Sequence, residues 1–163
     1  MREIKKGNRQ AFRKLYDQYF DYAIRVATAV THNHSTAADV VQETFIRIYK
    51  NIDDKYDEEK PFQPWFYRIL INECNRYLKK FSKIIPMDVN EDIHLPPEND
   101  RYQFEDYEDL YVAIQKLEDY HKIPIILKYL NDLTDQDIAN ALELNINTVK
   151  SRLLKESRDL KIC

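Results

Sequence analysis

The chain has 163 residues, of which 44% are hydrophobic and 33% charged, with a formal net charge of −3; this is enough apolar material for one ordinary core or two small ones. A single glycine, Gly7, argues against P-loop and dinucleotide-binding enzymes, whose phosphate-cradling loops need several glycines to bring backbone N–H groups onto a nucleotide. Two distant cysteines, Cys74 and Cys163, with no CxxC pair argue against a disulfide framework or a cysteine-rich zinc site and fit a reducing cytoplasm.

The amino terminus, MREIKKGNRQAF, is charged and has no apolar targeting segment, and no apolar run reaches the ~18 residues of a membrane span, so no membrane insertion is expected. Glycine for tight primed turns is missing, while Leu, Ile, Lys, Glu and Tyr recur at helical spacing, so the chain reads as all-α. Phe12, Leu15, Tyr16, Tyr19, Ala23, Val26 and Val30 draw one apolar stripe along a first helix. Thr36 with Asp39 three residues on has the capping-box spacing and predicts the start of a second, with Val41, Phe45, Ile48 and Ile52 on its buried side. After the acidic loop DDKYDEEK, Pro61 and Pro64 frame the start of a third, since proline is tolerated in a first turn but not in a helix interior; it runs to about Phe81.

Charge then shifts. Residues 1–81 carry 15 Lys or Arg against 11 Asp or Glu, residues 82–110 carry 2 against 9, and residues 111–163 carry 8 against 8. The acidic stretch also holds Pro86, Pro96 and Pro97, which suits a linker. Two small helical domains are expected, 1–82 and 106–163, joined by an acidic linker over 83–105. In the second, Leu110, Ile114 and Leu117 mark one helix, and Ile125, Ile126, Tyr129 and Leu130 mark another beginning near Pro124. Thr134 and Asp137 repeat the capping spacing before a short helix with Ile138, Ala141 and Leu142 inward. After the turn LEL, Asn145 is placed to cap the last helix.

On that last helix, Ile146, Val149 and Leu153 fall within about 60° of one another and form its buried stripe. Asn147, Ser151, Lys155 and Arg158 lie broadly opposite, Lys150 beside them, and Arg152 on the edge of the buried stripe. Amide and hydroxyl groups at the start of a helix with cations along it suit a major groove, where the former reach base edges and the latter meet phosphates. A solvated basic helix would look the same taken alone. The preceding capped helix, small Ala139 and three-residue turn make a helix-turn-helix the better reading.

At this point the chain resembles a family, the extracytoplasmic-function sigma factors of bacterial RNA polymerase. Three blocks carry the likeness: DVVQETFIRIYKN at 39–51, PFQPWFYRILINECNRYLKK at 61–80 and LTDQDIANALELNINTVKSRL at 133–153. The resemblance implies an alternative sigma factor whose first domain docks on the clamp coiled coil of the polymerase beta-prime subunit and opens the −10 element, while the second reads the −35 element. It places polymerase contacts at Asp39, Gln42, Glu43, Phe45 and Arg47. It places −10 contacts at Phe62, Trp65, Asn72, Arg76, Lys79 and Lys80, side chains able to stack on splayed bases or track a strand. The −35 contacts fall at Asn147, Thr148, Lys150, Ser151, Arg152, Lys155 and Arg158. A partner anti-sigma factor is also implied, and no cofactor or metal. Internally, Asp39 as a cap, Phe45 as core and Trp65 as core remain open alternatives. The family's usual glycine at the helix-turn-helix turn is Glu143 here, a second is Asn147, and its LP helix start is Leu117-Glu118, with proline displaced to Pro124.

Two other functions compete. A helix-turn-helix regulator acting without polymerase would explain 106–163 but not 1–82. An enzyme could be built on His32 and His34 with Asp39, or on Asp53, Asp54, Asp57, Glu58 and Glu59, but the spacing is poor for a metal site and no nucleophile–base set is visible. By resemblance the acidic linker threads polymerase channels, and replacing Asp88, Glu91 and Asp92 is expected to alter initiation more than promoter binding.

Overall fold

A computed structural model of the chain describes residues 1–82 and 108–159. The linker calculated from charge, with Asp88, Glu91 and Asp92, lies outside these residues. All eight elements within them are helices: α1 (Arg2–Lys5), α2 (Arg9–Thr31), α3 (His34–Lys55), α4 (Phe62–Ser82), α5 (Glu108–Gln115), α6 (Asp119–Asn131), α7 (Asp135–Leu142) and α8 (Ile146–Asp159). None of them is long and apolar enough to cross a membrane.

Short polar residues start α2, α3, α7 and α8 by accepting N–H groups that have no intrahelical partner. Asn8 accepts from Gln10 and Ala11 to open α2. The α2 stripe then faces inward as expected, with Leu15, Ala23, Val26 and Val30 buried. Helix α3 corrects the sequence expectation. Asn33, not Thr36, is its cap, with extended backbone and a side chain that accepts from the Thr36 N–H at 2.9 Å. His32 turns left-handed at the end of α2 (φ 60°), which aims the chain straight into α3 and leaves Asp39 exposed in the second turn rather than capping. Helix α4 places Pro64 third in its first turn, where a missing N–H costs no intrahelical bond.

Helix α6 also begins earlier than its apolar pattern suggests. Glu118 is its cap, and Pro124 lies inside it rather than at its start. His121 and Lys122 are buried polar residues, so the stripe is interrupted where the helix is in fact covered. The next two helices follow expectation. Thr134 accepts from the Asp137 N–H at 3.1 Å, and its hydroxyl donates to the Asp137 carboxylate at 2.7 Å. Helix α7 ends at Glu143 (φ 55°, ψ 40°), with the Leu144 N–H donating to the Ala139 carbonyl at 3.0 Å, a Schellman closure. Asn145 accepts from the Asn147 N–H at 2.8 Å, and α8 buries Val149 and Leu153.

The bundle α2–α3–α4 and the group α6–α7–α8 meet, α2 on α6 and α4 on α7. Their buried apolar residues form one continuous cluster. At the junction Arg68 of α4 donates to the Asn140 carbonyl in the last turn of α7 and lies 3.2 Å from the Glu143 carboxylate. Where α2 meets α6, Lys122 reaches within 3.4 Å of His32 at the end of α2.

Candidate nucleic-acid interface

Three surfaces carry the residues singled out from sequence. On α3, Asp39 and Gln42 are exposed and Glu43 half-exposed, but Phe45 is buried. Its ring packs among Phe12, Tyr16 and Phe66 at centroid distances of 6.4, 4.6 and 5.6 Å, so it serves the core and cannot anchor a partner. Sequence reasoning missed the apolar pair beside it. Ile46 and Tyr49 are 39% and 47% exposed on the same outer stripe as Asp39 and Gln42, giving an apolar centre with a polar rim.

Arg47 and Arg76, assigned from sequence to different partners, converge on one residue. Glu73 is buried, at 6% exposure, with Arg47 Nε 2.6 Å from one carboxylate oxygen and Arg76 paired to the other. Glu43 joins from α3 at 3.4 Å from Arg47 and 3.7 Å from Arg76. The Arg47 Nε–H is not aligned for a hydrogen bond, so its contact is ionic rather than directional. Two cations around one buried carboxylate clamp α3 to α4. Glu73 had a legible signal: at 100° per residue it shares a stripe with Phe66, Leu70 and Tyr77, and a carboxylate on an apolar stripe requires a partner.

The start of α4 holds Phe62 and Trp65, both half-buried in an aromatic cluster. Phe62 meets Tyr19 at 5.2 Å and Tyr56 at 5.6 Å, and Trp65 meets Tyr56 at 5.1 Å. The Tyr56 hydroxyl donates to the Lys60 carbonyl at 2.8 Å and closes the loop between α3 and α4; burial raises its pKa. Beside this loop lies a cleft of about 380 Å³ lined by Tyr56, Trp65, Lys55, Lys60 and Arg68, with Asn140 of α7 as a wall. Asn72, Lys79 and Lys80 are exposed along α4. The acidic loop has structural work of its own: Glu58 pairs with Arg2 at 3.1 Å and Lys5 at 3.6 Å, and the Arg2 hydrogen bond holds its carboxyl below the ordinary range.

On α8, Asn147, Lys150, Ser151 and Lys155 are exposed and Thr148 is half-buried. Leu154, not anticipated, is 59% exposed among them. Its angular position, about 140° from Val149, was readable from the sequence. The side chain of Arg158 lies outside the described residues. Arg152 departs from expectation: its guanidinium donates to the Tyr120 carbonyl at 3.3 Å and lies 5.6 Å from the Tyr120 ring centre, so it faces α6 rather than the outer surface.

Comparison with known proteins bears on these surfaces. The family described as Sigma-70 region 2 matches residues 15–83, and that described as Sigma-70, region 4 matches residues 107–157. The ECF RNA polymerase sigma factor SigW of Bacillus subtilis (strain 168) is 30% identical, the match covering 98% of this chain and 96% of that one. The ECF RNA polymerase sigma-E factor of Haemophilus influenzae is 29% identical over 93% of this chain and 86% of that one. Among solved structures, the sigma factor RpoE, in complex with the anti-sigma factor NepR from Bartonella quintana, superposes with a TM-score of 0.79 at 20% identity, covering 93% and 95%. CnrH, in complex with the cytosolic domain of CnrY, superposes at 0.75 and 21% identity, covering 98% and 90%. At that identity the two structures share the fold.

Proposed function

The chain belongs to the extracytoplasmic-function sigma factors of the sigma-70 family, and from that membership we propose that residues 1–82 bind core RNA polymerase and the −10 element while residues 106–163 read the −35 element. As an alternative sigma factor it directs core polymerase to specific promoters and initiates transcription there. Polymerase supplies the bond-making chemistry, so this chain needs no catalytic group and works in the cytoplasm beside it.

The observation that carries the reading is the outer face of α8. A capped helix-turn-helix buries Val149 and Leu153 and leaves Asn147, Lys150, Ser151, Leu154 and Lys155 outward. Amide and hydroxyl groups suit base edges, Leu154 suits a thymine methyl, and the lysines suit phosphates. On the other unit, Asp39, Gln42 and Glu43 around Ile46 and Tyr49 form the polymerase surface, and Phe62, Trp65, Asn72, Lys79 and Lys80 the −10 surface. Because the sigma factor RpoE was solved with the anti-sigma factor NepR, an anti-sigma partner is proposed for this chain as well.

This division of work requires the two units to separate. The −10 and −35 positions lie about 25 base pairs, or about 85 Å, apart along the duplex. A compact body of the described size is only about 40 Å across. The packed arrangement is therefore a closed state of the free chain, and holoenzyme holds the units apart.

The test is transcription by core polymerase on a promoter library with and without the purified chain. Promoter-specific open complexes are expected only when both are present, with weak binding of DNA by the chain alone, as the even charge balance of residues 111–163 implies. Tight, specific duplex binding without polymerase would establish a self-sufficient helix-turn-helix regulator instead.

A further inference from the structure

We propose that Arg152 is a positioning residue that fixes the pose of α8 against α6 and does not itself contact DNA, an inference that rests on the −35 reading above. In an α-helix the N–H of residue 124 would donate to the carbonyl of residue 120. Pro124 has no N–H and lies inside α6, so the Tyr120 carbonyl lacks that donor. Arg152 supplies one, its guanidinium donating to this carbonyl at 3.3 Å while lying 5.6 Å from the ring of the same residue.

A charged donor on a carbonyl that Pro124 cannot bond, together with a cation over an aromatic face, gives a directional tie between two helices that pack on one another. The tie originates one residue from Ser151 and two from Lys150, both exposed on the outer face of α8. Rotation of α8 about its axis would move those groups together, so the Arg152 contact sets the angle at which they meet the groove. The displaced proline and the engaged arginine act on one carbonyl: the first cannot donate to it and the second does.

The proposal separates from a direct DNA contact by coupling and by salt. Promoter binding by holoenzyme is measured for the native chain, Arg152→Ala, Pro124→Ala and the double variant, over a range of salt and with each −35 base varied. Arg152→Ala should weaken binding about tenfold, with every base preference reduced alike and the slope of log K against log salt unchanged. A lost phosphate contact would instead lower that slope by about 0.9. In the Pro124→Ala background, where a backbone N–H competes for the Tyr120 carbonyl, removing Arg152 should cost clearly less than tenfold. Denaturation midpoints of the free chain provide a readout independent of DNA, and there too the two substitutions should be non-additive. Additive effects in the free chain, a reduced salt slope, or altered preference at a single base would overturn the proposal. Should native holoenzyme select no promoter, the −35 reading would fall, while the free-chain cycle would still decide whether Arg152 serves α6.

Discussion

Arg68→Ala should shift the free chain from closed to open. Arg68 ties α4 to α7 through the Asn140 carbonyl and the Glu143 carboxylate. The ion pair is 36% and 70% exposed at its two side chains, so solvent screening limits it to about 0–1 kcal/mol. The charged hydrogen bond to the helix-terminal carbonyl adds about 1–1.5 kcal/mol, less than a buried charged bond because the guanidinium is partly wet. Together these give about 1–2.5 kcal/mol, or about 5- to 70-fold in the closed-to-open ratio. Small-angle X-ray scattering should show a larger radius of gyration for the variant. If only the open chain engages polymerase productively, open-complex formation at limiting chain should rise by up to the same factor, because apparent affinity scales with the competent fraction. Glu143→Gln, on the other unit, should move both readouts in the same direction by less. If neither readout changes, or if the two variants move oppositely, Arg68 does not hold the closed state.

On α3, Ile46→Ala with Tyr49→Ala should weaken core polymerase binding about tenfold with little change in melting, whereas Phe45→Ala should cost about 3–5 kcal/mol of stability; titration calorimetry and urea unfolding distinguish the two effects. Glu73→Ala should destabilise by about 2–3 kcal/mol, because it strips two arginines of their shared counter-charge, and partial exposure of both arginines keeps the loss below that of a fully buried pair; urea midpoints report it. Burial pushes the Cys74 thiol from 9.0 up to about 12 and raises the hydroxyls of Tyr67 and Tyr19. The folded chain keeps these protons over a range where the unfolded chain has lost them. Stability should thus be full below about pH 9 and fall as pH rises toward 12, and the fall should be shallower in Cys74→Ala when urea midpoints are followed against pH.

What was legible in the sequence was local. The inward stripe of α2, the proline-framed start of α4 and the Thr134 cap each depend on residues within a turn or two, and the same count that buried Val149 and Leu153 set Ser151 outside. Competition between equivalent local signals produced the error at α3, where Asn33 and Thr36 both offer a cap and the left-handed His32 decides between them. Phe45 shows a different limit: one aromatic at helical spacing cannot reveal whether its neighbours Ile46 and Tyr49 are the ones left outside. Arg68 had no local signal at all, because Asn140 and Glu143 are 72 and 75 residues away and meet it only through the packing of α4 on α7. The pairing of Arg47 and Arg76 was illegible for the same reason, their common partner being a carboxylate on another helix stripe.

Helix-turn-helix turns of this family usually carry glycine at the position where Glu143 stands. Its φ of 55° costs a side-chain-bearing residue about 1 kcal/mol relative to glycine, and that strain is present whether the units are together or apart. Its carboxylate, in contrast, acts only when the units are together, where Arg68 lies 3.2 Å away. Strain and pairing therefore affect different equilibria: the first lowers the stability of the turn in every state, and the second favours the closed state alone. Glu143→Gly should separate them. Relief of strain outweighs an exposed pair of about 0.5 kcal/mol, so the melting midpoint should rise by about 1–2 °C. The closed population should nonetheless fall, seen as a larger radius of gyration. A variant that melts higher and stays as compact as the native chain would show that the carboxylate has no part in holding the units together. A variant that melts lower would show that the left-handed turn was never strained.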